Sequence, residues 1–242
     1  MALIELREVS KIYKLEEVEV VALKDATADI AKGEYVALIG PSGSGKSTLM
    51  NTLGCLDRPT SGSYKLDGQE IVTMSSPERA RIRNRQIGFV FQSFNLLVRT
   101  SAVENVELPL LYGPAMSSRA RYDRAVELLS LVGLGDRLDH HPGQLSGGQQ
   151  QRVAIARALA ANPNILMGDE PTGNLDTRTS REVIELFKKL NEEQNLTVIL
   201  VTHDTNIARN AKRNIVLRDG GIICDTTDHE LASQALKREA TV

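Results

Sequence analysis

The residues best suited to chemistry begin with a glycine-rich segment that ends in a lysine and a serine. Residues 40–47, GPSGSGKS, match the phosphate-loop pattern G-x-x-x-x-G-K-[ST] at every fixed position. In such a loop, glycines let successive backbone N–H groups point inward at a helix N-terminus, which favours anions. We expect Lys46 to contact the β- and γ-phosphates of a nucleoside triphosphate and Ser47 to bind Mg²⁺. The residues predicted to contact the nucleotide here are Gly40, Pro41, Ser42, Gly43, Ser44, Gly45, Lys46, Ser47 and Thr48.

Two adjacent carboxylates, Asp169 and Glu170, follow the short apolar run 165–167. Ligands of open parallel sheets bind at the C-terminal ends of the strands, where this pair would lie. We expect Asp169 to hold Mg²⁺ and Glu170 to orient and polarise an attacking water. An isolated Asp-Glu is usually a solvated turn. It is the phosphate loop upstream that favours the catalytic interpretation.

A second glycine-rich helix start, LSGGQ, occupies residues 145–149. Ser146 followed three residues later by Gln149 is a capping box, so a well-capped helix is the simplest interpretation. The same N–H groups and the serine hydroxyl would also form an anion site. Because the chain already has a phosphate loop, a second phosphate-binding helix start suggests that two chains share a nucleotide.

The elements that position these residues alternate between short apolar runs and segments of helical periodicity. This alternation indicates βαβ units, an α/β fold with a mainly parallel sheet, and one unit with a helical insertion. Asp-Gly turns at 67–68 and 219–220 predict two hairpins. From Ser117 to about Ala161 the pattern is helical. Strands are predicted at 35–39, 63–66, 70–72, 86–91, 165–167 and 197–201, and helices at 47–53, 121–131 and 181–190.

The composition excludes several classes of protein. The 242 residues carry a net charge of -2, with 41% hydrophobic and 25% charged residues, which is ordinary for a globular domain. No apolar run approaches the roughly 18 residues of a membrane span. The first seven residues mix acid and base, so we expect no signal peptide and a cytoplasmic protein with Cys55 and Cys224 as thiols. Alternating arginines at 79–85 predict a solvated helix face, and we expect no nucleic-acid partner.

Taken together, these motifs resemble the ATP-binding subunit of an ATP-binding-cassette (ABC) transporter over essentially the whole chain. LSGGQ is the signature motif of that family. The resemblance implies that Gln92 is the Q-loop glutamine, which would contact Mg²⁺ and couple the site to a partner. It implies that Asp176 belongs to the D-loop, here GNLD (173–176) where SALD is usual, and that Asp176 contacts ATP. His203 would be the switch histidine at the γ-phosphate, and Tyr13 would stack on adenine.

The resemblance also implies an architecture. A single ABC ATP-binding domain, 1–242, would have a RecA-like phosphate-loop core with a mainly parallel sheet and an N-terminal antiparallel β subdomain. These would cover about 1–92 and 162–230. An inserted helical subdomain would cover about 93–161, followed by a short polar tail, 231–242.

The implied partners and cofactors follow from the same resemblance. Two chains would form a head-to-tail homodimer, with ATP and Mg²⁺ between one phosphate loop and the partner's signature. A transmembrane permease would be driven by this dimer, and a periplasmic adaptor bound through the permease is a further partner that the resemblance allows. The ATPase would lie peripherally on the cytoplasmic face of the inner membrane. The signature residues predicted to contact ATP are Ser146, Gly147, Gly148 and Gln149.

Three longer segments, 51–62, 87–97 and 104–110, resemble the lipoprotein-release and macrolide-export branch of the family. A related cell-division ATPase shares many of them. A soluble or cell-division ABC-type ATPase that does not drive transport therefore remains the alternative. The complete LSGGQ and the separate Glu170 argue against an unrelated phosphate-loop kinase or GTPase.

Overall fold

A computed structural model describes residues 2–15 and 18–237. The chain forms two compact units: the first comprises Met1–Ala80 and Thr197–Val242, and the second comprises Arg81–Leu196. The subdomain boundaries expected from the sequence stay a prediction. The expected polar tail begins within a C-terminal helix, and its residues 238–242 lie outside the described residues.

The described chain contains strands and helices in alternation, together with two short 3₁₀ helices at Leu108–Tyr112 and Pro142–Gln144. The strands are β1 (Ala2–Leu15), β2 (Val18–Ala31), β3 (Tyr35–Ile39), β4 (Ser61–Leu66), β5 (Gln69–Glu70), β6 (Ile87–Phe91), β7 (Ile165–Asp169), β8 (Thr197–Thr202), β9 (Arg213–Arg218) and β10 (Gly221–Thr226). The helices are α1 (Lys46–Leu53), α2 (Ser76–Gln86), α3 (Ala102–Glu107), α4 (Ser118–Leu131), α5 (Gly147–Leu159), α6 (Thr177–Gln194), α7 (Thr205–Ala208) and α8 (His229–Lys237).

In the first unit, β1 and β2 form a long antiparallel hairpin, and β4 and β5 extend this sheet in the order β2-β1-β4-β5. This is the expected N-terminal antiparallel sheet. Its buried face follows the period of two that a half-buried strand requires, as in Ala26, Ala28 and Ile30 of β2.

A second group of strands in the first unit carries the phosphate loop. Strand β3 pairs in parallel with β8 on one side and with β9 on the other, and β10 pairs antiparallel with β9. Every residue of β3 and β8 is buried, as expected for central strands of a parallel sheet. The end of β3 is therefore a fixed point from which the chain enters the phosphate loop and α1.

The second unit combines a parallel strand pair with packed helices. Strands β6 and β7 pair in parallel from Ile87↔Ile165 to Phe91↔Asp169. Helix α5 packs on β6 and on α3, α4 and α6. Pairing, parallel direction and helix packing agree with the α/β class predicted from the sequence.

The helical pattern expected from Ser117 to about Ala161 forms two helices, since α4 ends at Leu131 and α5 begins at Gly147, directly after the predicted cap Ser146. Gly133 follows α4 with a φ of 76°, a left-handed conformation that ends helices. The strand expected at 70–72 stops at Glu70. In contrast, α2 has the solvated character expected for 79–85, since none of its residues, all of them described, is buried.

Cys55 and Cys224 are both thiols in the structure. No helix in residues 2–15 and 18–237 is long and apolar enough to cross a membrane.

Tyr64 ties the antiparallel sheet to the last turn of α1. It is fully buried, and its hydroxyl donates a 2.6 Å hydrogen bond to the backbone oxygen of Leu53. We expect Tyr64→Phe to lower the free energy of unfolding by about 1 kcal/mol, because the buried carbonyl loses the stronger of its two donors, the weaker being the Cys55 thiol. The midpoint of urea unfolding measures this change. Tyr112→Phe is the matched control, since Tyr112 is 76% exposed; equal midpoints for the two variants would contradict the assignment.

Candidate nucleotide site

The phosphate loop connects β3 to α1 and ends at Gly45, the N-cap of the helix, with a φ of 99°. Among the described residues no side chain caps α1. The first N–H groups of a helix have no partner within the helix itself. The Lys46 ammonium donates to the backbone oxygens of Gly40 at 2.8 Å and Pro41 at 2.7 Å. An uncapped helix start with a lysine ammonium above the loop is an anion site.

The β1–β2 and β9–β10 hairpins both contact this loop. The Gly220 N–H donates to the Ser44 oxygen at 3.1 Å. A Cβ added to Gly45 would lie only 2.6 Å from the backbone oxygen of Ala22 in β2. Gly45 is therefore required by both its left-handed backbone and this close approach. These contacts help to fix the shape of the loop.

Tyr13, the predicted adenine contact, lies beside α1. Its hydroxyl donates to an Asp57 carboxylate oxygen at 2.8 Å. Partial burial is the main cause that raises the pKa of Tyr13, and the bond to Asp57 adds to it. His203 follows the buried end of β8 and is exposed, just before α7. The first unit thus places the predicted adenine contact next to the phosphate-loop helix.

In the second unit, the parallel register brings the catalytic candidates to one edge. Phe91 pairs with Asp169, so Gln92 and Glu170 each follow directly at the same level of neighbouring strands. Glu170 has a φ of 46°, in the left-handed region that is unfavourable for a residue with a side chain. With this backbone conformation, the chain changes direction immediately after β7.

Gln92 is joined to the D-loop by reciprocal hydrogen bonds. Its side-chain nitrogen donates to Asn174 Oδ1 at 3.2 Å, and Asn174 Nδ2 donates to the Gln92 backbone oxygen at 3.1 Å. The sequence predicted Gln92 but assigned no role to Asn174. The departure from SALD to GNLD was the available signal.

The signature helix starts as predicted, with a capping box. Ser146 Oγ accepts from the Gln149 N–H at 3.3 Å, and Gln149 Oε1 accepts from the Ser146 N–H at 2.8 Å. Ser146 is exposed, and its hydroxyl hydrogen can still be donated to an anion.

The predicted ATP contact Asp176 caps α6 in the structure. Its carboxylate accepts from the N–H groups of Arg178 and Thr179 and from the Thr179 hydroxyl at 2.5 Å. The hydroxyl bond is the main cause that lowers the pKa of Asp176. The same threonine packs on the signature, because a Cβ at Gly148 would lie 2.2 Å from Thr179 Cγ2. A contact between Asp176 and ATP stays a prediction.

Arg157 of α5 was not identified from the sequence. Its guanidinium donates to the backbone oxygens of Asn95 at 2.6 Å and Phe94 at 2.9 Å. Both of these residues have a positive φ. Burial lowers the pKa of Arg157. The signature helix therefore holds the segment that follows Gln92.

The donor chemistry at these positions suits magnesium. Ser47, Gln92 and Asp169 offer a hydroxyl, an amide oxygen and a carboxylate, the hard oxygen ligands that Mg²⁺ prefers. No cluster of three or more His, Cys, Asp or Glu side chains suited to a metal occurs in the described part of the chain. In nucleotide sites Mg²⁺ is usually held by one or two protein oxygens together with the phosphates, and each of these three side chains suits that role.

Comparison with known proteins decides the family. A family model described as ABC transporter matches residues 23–173, more than half of the chain. The chain belongs to the ABC transporter family. The cassette is 56% identical over 218 residues to an uncharacterized ABC transporter ATP-binding protein of Thermotoga maritima, covering 90% of this chain and 92% of that protein.

The cassette is also similar to part of a longer protein and to a solved structure. It is 57% identical over 223 residues to the macrolide export ATP-binding/permease protein MacB of Syntrophobacter fumaroxidans, which covers 92% of the cassette but only 31% of that protein. It also superposes with a TM-score of 0.85 on the dimeric post-hydrolysis structure of MJ0796 from Methanocaldococcus jannaschii, bound to ADP and Pi. That pair is 48% identical and covers 92% of the cassette and 97% of MJ0796. The phosphate-loop fold class predicted from the sequence is thereby confirmed.

Gly148→Ala tests the packing of the signature on α6. The added methyl would overlap Thr179 Cγ2, and Thr179 cannot rotate without losing its bond to Asp176. We expect a loss of about 1–3 kcal/mol in unfolding free energy and impaired ATP hydrolysis. Thr179→Ser removes the Cγ2 and keeps the hydroxyl.

The double variant Gly148→Ala/Thr179→Ser is therefore expected to regain both stability and phosphate release. Gly143→Ala is the control, since an added Cβ there meets nothing within 4 Å. A double variant that is no better than Gly148→Ala would show that the overlap is not the cause.

Proposed function

We propose that the cassette binds ATP with Mg²⁺, hydrolyses it to ADP and phosphate, and uses the cycle to power a separate membrane permease. The observation that carries this proposal is the uncapped start of α1 under the Lys46 ammonium, in a chain that also presents the strained Glu170 after β7. The first feature binds a polyphosphate, and the second supplies a carboxylate for hydrolysis.

Each residue then has a chemical role. The loop N–H groups and Lys46 neutralise the β- and γ-phosphates, while Glu170 accepts a proton from the attacking water. His203 contacts the γ-phosphate. Ser47, Asp169 and Gln92 would hold Mg²⁺, which supplies charge neutralisation on the phosphates when bound. Tyr13 stacks on adenine, and Asp176 contributes to the nucleotide contacts beside its cap of α6.

A homodimer completes the site. Residues 146–149 form a second helix start whose serine hydroxyl and N–H groups suit the γ-phosphate of an ATP held by another chain. The related cassette MJ0796 is dimeric in its solved structures. We propose the same head-to-tail, two-fold arrangement, in which ATP joins the chains and hydrolysis separates them.

The proposed partner is a permease of the lipoprotein-release or macrolide-export type. The relative MacB carries ATP-binding and permease functions in one longer protein, whereas this chain spans 31% of its length. After Gln92, the chain also exposes Leu97 by 47% and Val98 by 74%. Apolar side chains exposed next to a nucleotide-sensing loop suit a protein interface. Location on the cytoplasmic face of the inner membrane, and a periplasmic adaptor bound through the permease, follow from this proposal.

Glu170→Gln should abolish phosphate release while ATP binding is retained, because the amide cannot accept the water proton. The ATP-bound dimer should then accumulate in analytical ultracentrifugation. Glu182→Gln is a control, since Glu182 pairs with Arg152 on the exterior of α5 and α6. Normal turnover by Glu170→Gln would exclude Glu170 as the base.

Val98→Asp should weaken recovery of a membrane permease with the tagged cassette by about tenfold or more, since a charge would be buried at the interface. Val18→Asp is the matched control, because Val18 is 62% exposed on the hairpin of the other unit. Quantitative mass spectrometry of the proteins recovered with each tagged variant from solubilised membranes measures the amount of permease in both cases. Exclusive recovery of soluble partners would favour the ABC-type ATPase that does not drive transport.

A further inference from the structure

The segment between α1 and β4 folds back along strand β1. It turns at Cys55, which has a φ of 55°, and then follows β1 through Thr60. The Thr60 N–H donates to the Ser10 oxygen at 2.8 Å, and Thr60 Oγ1 accepts from the Ile12 N–H at 3.0 Å. The part of β1 around Ile12 is therefore fixed to the chain that leaves the phosphate-loop helix.

Asp57 in this segment bonds to two side chains of β1. One carboxylate oxygen accepts from the Lys11 ammonium at 2.7 Å, and the other accepts from the Tyr13 hydroxyl at 2.8 Å. Lys11 also donates to the Arg58 oxygen at 2.8 Å. The Lys11 side chain is only 12% exposed, so this ion pair is better shielded than a surface pair.

Lys11 also covers one face of the Tyr13 ring. The two residues are two positions apart on a strand, which places them on the same side. The Lys11 nitrogen lies 4.8 Å from the ring centroid, within cation–π distance. A flat ligand that stacks on Tyr13 must therefore use the opposite face.

Three constraints thus act on a single ring. Its hydroxyl is anchored by Asp57, one face is covered by Lys11, and its strand is held by Thr60. We propose that Lys11 and Asp57 are positioning residues that fix the Tyr13 ring so that adenine stacks on the face opposite Lys11. This inference rests on the proposed ATP function and deepens it. Asp57 lies just after α1, and its N–H donates to the oxygen of Asn51 in that helix at 3.1 Å. The residues that fix the Tyr13 ring are therefore connected to the helix that begins at the phosphate loop.

The experiment compares a ligand that has a base with one that lacks it. ATP and inorganic tripolyphosphate are titrated with Mg²⁺ into the full chain and its Lys11→Met and Asp57→Ala variants by calorimetry. Because each variant removes one or two hydrogen bonds from the ring support, we expect ATP to bind about 3–10-fold more weakly. Tripolyphosphate binding should be unchanged. In steady-state hydrolysis the KM for ATP should rise by a similar factor while kcat stays constant.

Lys14→Met is the matched control, because Lys14 forms an exposed pair with Glu19 on the same hairpin. Its ATP affinity should equal that of the unmodified chain. Asp57→Asn retains an acceptor for the Tyr13 hydroxyl and should restore part of the loss seen in Asp57→Ala. In a Tyr13→Ala background, Lys11→Met should cause no further loss.

The outcomes separate the inference from the proposed function. Equal weakening of ATP and tripolyphosphate in Lys11→Met and Asp57→Ala would overturn the inference, since the segment would then only support the phosphate loop. Hydrolysis by the unmodified chain together with unchanged ATP affinity in Tyr13→Ala would overturn it as well, leaving the ATPase proposal intact. An unmodified chain that binds tripolyphosphate but shows no preference for ATP would remove the base contact altogether. Failure to hydrolyse ATP would instead count against the proposed function.

Discussion

The unsatisfied N–H groups at the start of a helix are the constraint on which this structure depends. Every α-helix begins with donors that its own backbone cannot satisfy. Helix α6 meets the demand with Asp176, and α5 meets it with the reciprocal pair of Ser146 and Gln149. Helix α1 has no side-chain cap within the described chain, a start that suits a bound phosphate. The surrounding strands and turns hold that loop in a shape that it could not maintain by itself.

The residues predicted to act on the nucleotide are divided between the two units. The first carries the phosphate loop, Tyr13 and His203, while the second carries Gln92, Glu170 and the signature. Within the second unit, three loops are linked by short contacts between Gln92 and Asn174, between Thr179 and Gly148, and between Arg157 and the segment after Gln92. A displacement of one of these loops must therefore strain the others. Such linkage suits a protein that converts nucleotide binding into movement.

The sequence predicted the residues whose chemistry depends on short local patterns. The phosphate loop, the capping box of α5 and the strand before Asp169 follow from spacing alone, because their interactions span only a few residues. The supporting residues were not predictable in this way. Lys11 and Asp57 are 46 positions apart, Arg157 is 62 from Asn95, and Gln92 is 82 from Asn174. Such pairs depend on the tertiary fold, and a single sequence carries no periodic signal for them.

The left-handed backbone at Glu170 has an evolutionary consequence. A residue with a side chain in this conformation costs about 1 kcal/mol or more relative to glycine, so the folded chain would gain stability from a smaller residue there. Selection for stability alone would favour glycine or asparagine at position 170. Under the proposed function, a glutamate at this position places stability and catalysis in conflict. Drift toward a glycine in a duplicated copy would then create a more stable protein that still binds nucleotide but has lost its proposed base.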